Sequence, residues 1–233
     1  MIETVFLDAG GVLVNPNWER VAEAMARQGV EVSAAALAAA EPHAKRQLDT
    51  GQAVKANNDS ARGWLYFNLV LERAGVSLSD GTDAALRELA EYHARFNLWE
   101  SVPADVPDAL DRLRRSGRRL VVVSNANGTL RAHFARLGLA DRFDVLVDSC
   151  DEGVEKPDPR IFASALERLG VAPDRAIHVG DIVGLDVRGA RRAGVEPVLM
   201  DPLGCYPGSV ECPRIQRLAD LLDLVPARAQ PAP

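Results

Sequence analysis

The sequence predicts an α/β fold, a parallel sheet into which a bundle of helices is inserted, and three observations lead there. Residues 2–7 end on the apolar run Val5, Phe6 and Leu7, which is long enough for a short buried strand. Residues 18–96 are alanine-rich and helical in pattern, with no convincing strand among them. From Asp105 onward, helices alternate with the apolar runs 120–123, 145–147, 177–179 and 195–199, the pattern of a parallel sheet covered on both faces.

Each element has a local reason. The first strand ends at Asp8, and Ala9, Gly10 and Gly11 then form a turn loose enough for a ligand to approach the backbone. A helix over 18–28 stops at Gly29, and Ser33 caps a second that runs to about residue 49. Residues 51–58 are a break. A third helix starts at Asp59 or Ser60 and ends near Gly75, and a fourth runs from Thr82 or Asp83 to about residue 97. This set of helices forms a small bundle rather than a continuation of the sheet. Farther on, Asp158 caps a helix that begins near Arg160, and Asn127 and Gly128 shape the turn after the second strand. Arg188, Arg191 and Arg192 read as a solvated helix face.

The bundle separates the first strand from the second, so it is an insertion after the Asp8 turn. Residues 1–14 plus 103–226 are expected to form a Rossmann-like core, and 15–102 a helical cap domain over the carboxyl edge of the sheet. Ligands bind at that edge in open α/β folds. Residues 227–233, rich in Ala and Pro, read as a flexible tail.

Composition narrows the function. A chain of 233 residues with 47% hydrophobic and 26% charged content is that of an ordinary globular protein. The net charge of -6 argues against a general nucleic-acid binder. No apolar stretch approaches the ~20 residues that span a bilayer, and no secretory signal is visible in the residues that open the sequence. A chain that starts here and is located in the cytoplasm is therefore expected. Oligomeric state is open. Cys150, Cys205 and Cys212 lack metal-ligand spacing and read as free thiols, with a Cys205–Cys212 bridge across the intervening turn as the alternative.

Four sites fall at strand ends or in the loops that follow them. Asp8 follows the first strand, and Ser124 and Asn125 follow the run 120–123. Lys156 precedes Pro157, Asp158 and Pro159, and Asp181 follows Gly180, with Asp186 beyond it. Each has an ordinary structural reading by itself: turn residue, solvated lysine or helix-start carboxylate. Together, in this order, they converge on one edge of one sheet.

In these motifs the chain resembles the haloacid dehalogenase-like hydrolase superfamily, in particular the members with a helical cap inserted after the first strand. Asp8 matches the first motif, Ser124 the second, Lys156 with Pro157 the third, and Gly180 and Asp181 through Asp186 the fourth. The resemblance implies catalytic roles for Asp8, Ser124 and Lys156. Asp8 would be the nucleophile of a covalent route, and Lys156 would hold it ionised. Ser124 and the backbone N–H of Asn125 would bind substrate oxygens. Mg²⁺ would be held by Asp8, the carbonyl of Gly10, Asp181 and Asp186, with Asp186 either a ligand or an orienting group. The expected substrate is a small phosphorylated metabolite.

One position departs from the pattern. Phosphatases of this superfamily usually carry a second aspartate where this chain has Gly10. That aspartate protonates the leaving group and later activates water, help worth roughly 10²–10⁴-fold. In its absence His43, His93 and Glu19 are the candidate proton donors of the cap, each with a structural reading as well. Alternatively Asp8 attacks carbon, as in the dehalogenase and phosphonate-cleaving branches, which also lack that aspartate. The second of these needs a Schiff-base lysine, for which Lys45 and Lys55 qualify by type. A weakly active or purely binding member of the family is the third reading.

Overall fold

Apolar runs and caps turn into elements much as the sequence predicts. The computed structural model describes residues 2–50, 59–206 and 208–225. In chain order the strands and α-helices are β1 (Thr4–Leu7), α1 (Trp18–Arg27), α2 (Ala34–Thr50), α3 (Asp59–Arg73), α4 (Asp80–Phe96), α5 (Val106–Arg115), β2 (Arg119–Ser124), α6 (Leu130–Arg136), β3 (Val145–Asp148), α7 (Ser149–Glu152), α8 (Arg160–Leu169), β4 (Ala176–Gly180), α9 (Arg188–Arg192), β5 (Glu196–Met200), β6 (Arg214–Ile215) and α10 (Leu221–Leu224). The chain forms two compact units. One comprises Met1–Asn15, Val102–Pro202 and Gly208–Pro233, the other Pro16–Ser101 and Leu203–Pro207.

The first unit is built on a six-stranded sheet of order β3-β2-β1-β4-β5-β6 with every pairing parallel. It is the Rossmann-like α/β architecture expected. The strands are apolar along their length because both faces are covered: Val5, Phe6, Leu7 and residues 120–123 are wholly buried. On one face Phe6, Val121, Val123, Val147 and Ala176 pack with Ile161, Phe162, Ala165 and Leu166 of α8. Each such side chain contributes about 1.5–3 kcal/mol on burial. The sheet order reverses at β1, whose neighbours are β2 and β4, so a crevice at its carboxyl end is where a ligand site belongs. The sixth strand was not expected: β6 has two residues, too few for an alternating pattern to be visible.

The second unit is a helical bundle in which α1 packs on α2 and α4, and α2 packs on α3. Its core gathers Val21, Met25, Leu37, Val70, Leu71, Leu86 and Leu89. Asn17 caps α1, its side chain accepting from the Arg20 N–H at 3.0 Å. The fourth helix starts earlier than its spacing predicts. Ser79 and Thr82 form a reciprocal capping box, so Asp80 is already helical and Thr82 is an interior partner rather than the start. The predicted break at 51–58 and tail at 227–233 lie outside the described residues. All three cysteines are free, and no helix among the described residues is long and apolar enough to cross a membrane.

Candidate active site

Asp8 is held by the sheet itself. Its N–H donates to the Val179 carbonyl at 2.9 Å, which extends the β1–β4 ladder by one bond beyond β1. The turn that follows closes on itself: Leu13 and Val14 N–H groups both donate to the Ala9 carbonyl, and the Gly11 N–H donates to the Val14 carbonyl. Gly11 has φ 75°, a conformation that favours glycine. Gly10 is not in that region, so its lack of a side chain is not required by its backbone.

Lys156 is the centre of the cluster. Its stem and ammonium are buried, and Nζ lies 2.8 Å from Asp8 Oδ1 and 2.7 Å from Asp186 Oδ1. The backbone of the same residue is gripped by Asn125. The Asn125 Oδ1 accepts from the Lys156 N–H at 2.7 Å, and the Asn125 Nδ2 donates to the Lys156 carbonyl at 3.1 Å. The side chain of Asn125 therefore serves the loop that carries Lys156. Asp158 accepts from the Arg160 N–H at 2.9 Å, but the N-cap position of α8 that the sequence predicts for it is held by Pro159, whose side chain cannot cap the helix.

Asp181 follows β4 directly and is buried. Asp186 lies in the π-helical turn Val183–Val187 and is folded back on the strand end: its Oδ2 accepts from the Ile182 N–H at 3.0 Å, and its own N–H donates to the Ile182 carbonyl. Only glycine at position 180 allows that approach. A Cβ there would stand 2.1 Å from Asp186 Cγ and 2.3 Å from its Cβ, far inside contact distance.

The charges in this cluster are unequally shared. Burial works to raise the Asp186 carboxyl, but the Lys156 ammonium and the His178 ring override it and hold that carboxyl well below the usual range. Burial pushes Asp8 up to about 7, against the pull of Lys156 and with the neighbouring Asp186 and Asp181 charges adding to the rise. Burial would lower Lys156, yet its two carboxylate partners keep its pKa above the ordinary value. One ammonium thus faces three carboxylates, and Asp8 carries the deficit of positive charge.

That deficit is what a cation relieves. Asp8, Asp181 and Asp186 each offer a carboxylate oxygen, and these oxygens lie within 4.8 Å of one another. An all-oxygen, acidic donor set fits a hard divalent ion such as Mg²⁺ and does not suit a softer metal.

Ser124 comes to the same sheet edge, buried at the end of β2 on the strand next to β1. The remaining candidates are engaged within the helical unit. His93 Nδ1 accepts from the Leu98 N–H at 3.1 Å and its ring lies against Trp99, so it closes the end of α4. His43 Nδ1 is 3.6 Å from Cys205 Sγ, Glu19 is exposed, and the Lys45 ammonium pairs with Glu41 at 2.7 Å. Lys55 lies outside the described residues.

Among the buried polar residues that escaped the sequence reading, Glu41 and His178 have the clearest roles. Glu41 takes hydrogen bonds from Trp18 Nε1 at 3.2 Å and Tyr66 OH at 2.7 Å besides its pairing with Lys45. Lys45 stands at i+4 on the same helix, a spacing that signals only a surface ion pair, while Trp18 and Tyr66 come from other helices and have no spacing relation to it. His178 sits inside β4, where an imidazole among Ala176, Ile177 and Val179 was the available clue.

Comparison with known proteins agrees with this geometry. The family described as haloacid dehalogenase-like hydrolase matches residues 2–194. A phosphoserine phosphatase of Thermus thermophilus is 38% identical over 168 residues, covering 70% of this chain and 64% of that protein. A glyceraldehyde 3-phosphate phosphatase of Methanopyrus kandleri is 38% identical over 135 residues, 57% of each chain. The solved 2-haloacid dehalogenase of Pseudomonas syringae pv. Tomato DC3000 is 26% identical, with a TM-score of 0.60 over 96% of this chain and 98% of that one. The chain spans less than two-thirds of the length of these curated relatives. With the match running through β1, the inserted helices and the acidic edge of the sheet, the chain belongs to the haloacid dehalogenase-like hydrolase family.

Proposed function

We propose that the protein is a Mg²⁺-dependent phosphatase that hydrolyses a small phosphorylated metabolite through a phosphoryl group carried on Asp8. The observation that carries this reading is the acidic triad Asp8, Asp181 and Asp186, two of whose members, Asp8 and Asp186, pair with a buried Lys156. The phosphatase names of the relatives at 38% identity support it.

The residues divide the work as follows. The Ala9 N–H and Lys156 Nζ both engage Asp8 Oδ1, which leaves Oδ2 as the attacking oxygen. Attack on phosphorus forms an acyl phosphate as the ester phosphorus–oxygen bond breaks, and the leaving alkoxide takes its proton from water. A further water then cleaves the acyl phosphate at phosphorus to return the carboxylate and inorganic phosphate. Asp8, the Gly10 carbonyl and Asp181 would hold Mg²⁺, which would supply positive charge to keep Asp8 ionised and to balance the phosphoryl oxygens. Asp186, already bonded to three donors, acts mainly by fixing Lys156. Ser124 and the Asn125 N–H receive the phosphoryl oxygens. The helical unit, residues 15–102, serves as the cap that selects the alcohol portion of the substrate and limits water during the first step. The whole would work in the cytoplasm.

Gly10 favours a second reading, attack on carbon with loss of halide, and the dehalogenase at 26% identity is consistent with it. Of the two lysines that the phosphonate-cleaving variant could use, Lys45 is paired with Glu41 and Lys55 lies outside the described residues. A panel of phosphate esters, acyl phosphates, phosphonates and 2-haloacids, assayed with and without Mg²⁺, separates these readings. Mg²⁺-dependent release of phosphate is expected. Metal-independent release of halide would replace the phosphatase reading with the carbon-attacking one.

The missing carboxylate makes its own prediction. Gly10 has a backbone conformation open to other residues, so Gly10→Asp restores the acid without strain in φ. Hydrolysis of an ester with a poor leaving group should rise about 10²-fold, and that of a nitrophenyl ester much less. Equal gains on the two esters would show that position 10 is not limiting protonation of the leaving group.

A further inference from the structure

We propose that His178 is a positioning residue for the Asp8 site: it fixes Asp186, which in turn aims Lys156 at the nucleophile. The inference rests on the phosphatase reading for its kinetic part only. Its geometric part stands on three buried side chains in series.

His178 occupies the middle of β4, paired in register with Phe6 on one side and Pro197 on the other, and is wholly buried. An imidazole at such a position needs a hydrogen-bonding reason, since an apolar residue would fill the sheet interior without desolvation cost. Its reason is Asp186. His178 Nε2 lies 2.9 Å from Asp186 Oδ1, the same oxygen that receives Lys156 Nζ at 2.7 Å. A carboxylate only accepts, so Nε2 carries the proton and donates. The Phe162 ring, edge-on at a centroid distance of 4.9 Å, holds the plane of the imidazole.

His178 and Gly180 are two residues apart on one strand and so face the same side of the sheet. Gly180 removes the Cβ that would exclude Asp186, and His178 supplies the donor that receives it. Together with the Ile182 N–H on Oδ2, the carboxylate is fixed by donors on both oxygens. Without His178, Asp186 keeps its charge but loses one of the bonds that set its plane. Lys156 can then follow it away from Asp8 Oδ1. A residue that touches neither substrate nor Asp8 would thereby govern the direction of the only ammonium seen to engage the nucleophile among the described residues.

The test compares His178→Leu, His178→Gln and His178→Asn. A Gln amide nitrogen reaches the place of Nε2, whereas that of Asn falls short, at the place of Nδ1. Mg²⁺ affinity by calorimetry, kcat and KM for a nitrophenyl phosphate ester, and the melting temperature without metal are measured for each. His178→Leu and His178→Asn should lose about 10–100-fold in kcat or Mg²⁺ affinity with KM little changed, and His178→Gln should recover most of the loss. Equal impairment of all three variants would reduce His178 to a packing residue and overturn the proposal, as would a His178→Leu protein with unaltered kcat and Mg²⁺ affinity. If the parent turns over no phosphate ester, the phosphatase reading fails by itself. Mg²⁺ affinity then decides the positioning role: a loss in His178→Leu that His178→Gln reverses sustains it, and unchanged affinity overturns it.

Discussion

Lys156→Met is expected to cost about 3–5 kcal/mol of stability near neutral pH, because it keeps the apolar stem and removes only the buried charge. Asp8 and Asp186 would then face each other with the ammonium gone from between them. In a chain of this size that loss lowers the melting temperature by roughly 10 °C or more. Thermal melts at pH 8 and pH 5 check it. The deficit should shrink at pH 5, where Asp8, whose carboxyl lies near pH 7 even beside Lys156, takes up a proton and one of the uncompensated charges disappears. A deficit that stays constant across that range would mean that packing, and not charge, is what Lys156 provides.

Asp8→Asn should have opposite effects on activity and stability. Turnover should fall by about 10⁴-fold or more, since the covalent route loses its attacking oxygen. The metal-free protein should become more stable at pH 8. The sign follows from the raised carboxyl: folded Asp8 holds its proton to about pH 7, while the unfolded residue releases it near the ordinary aspartate value of 3.8. Stability contributed by the protonated form is therefore present in full below 3.8 and lost as pH rises through 7. Asparagine has no charge to bury, so its advantage grows over that window and levels off above it. A gain of ~1–3 kcal/mol is expected, below the ~4 kcal/mol that the full shift would carry, because the side chain keeps some water and its ion pair with Lys156 is lost. Adding Mg²⁺ should stabilise the parent and leave Asp8→Asn nearly unmoved. A variant less stable than the parent at pH 8 without metal would contradict the charge deficit at this site.

The fold was legible where periodicity is long and strong. Alternating helices and apolar runs identify five of the six strands, and the alanine-rich stretch identifies the helical insertion. What escaped has short or distributed signals: β6 is two residues long, and α4 begins at a capping box centred on Ser79 rather than at the later acidic residue.

The site divides similarly. Asp8, Ser124 and Asp181 sit at strand ends, a position visible in sequence once the strands are drawn, whereas Lys156 lies in the loop between α7 and α8, because the short helix α7 follows β3 directly. The pairings of these residues are not visible. Lys156 meets Asp186 across 30 residues, and Asn125 meets the Lys156 backbone across 31. Both contacts arise only when β2, β4 and the intervening loops reach one edge of the sheet. His178 and Gly180 look like two interruptions of an apolar strand. Their purpose becomes clear only when Asp186 folds back over both. Glu41 is invisible for a further reason, since buried acids have no sequence signature apart from the partners that permit their burial.

The central claim is a phosphoryl group carried on Asp8, and Gly10 makes it accessible to a direct measurement. With no carboxylate at position 10 to activate water, cleavage of the acyl phosphate is slowed, so the intermediate should accumulate during turnover. The protein is mixed with Mg²⁺ and a phosphate ester, quenched in acid within the first turnovers, digested and examined by mass spectrometry. The account predicts one added phosphoryl group on the peptide that contains Asp8, absent in Asp8→Asn and discharged by hydroxylamine. Sustained phosphate release with that peptide unmodified at every quench time would contradict it.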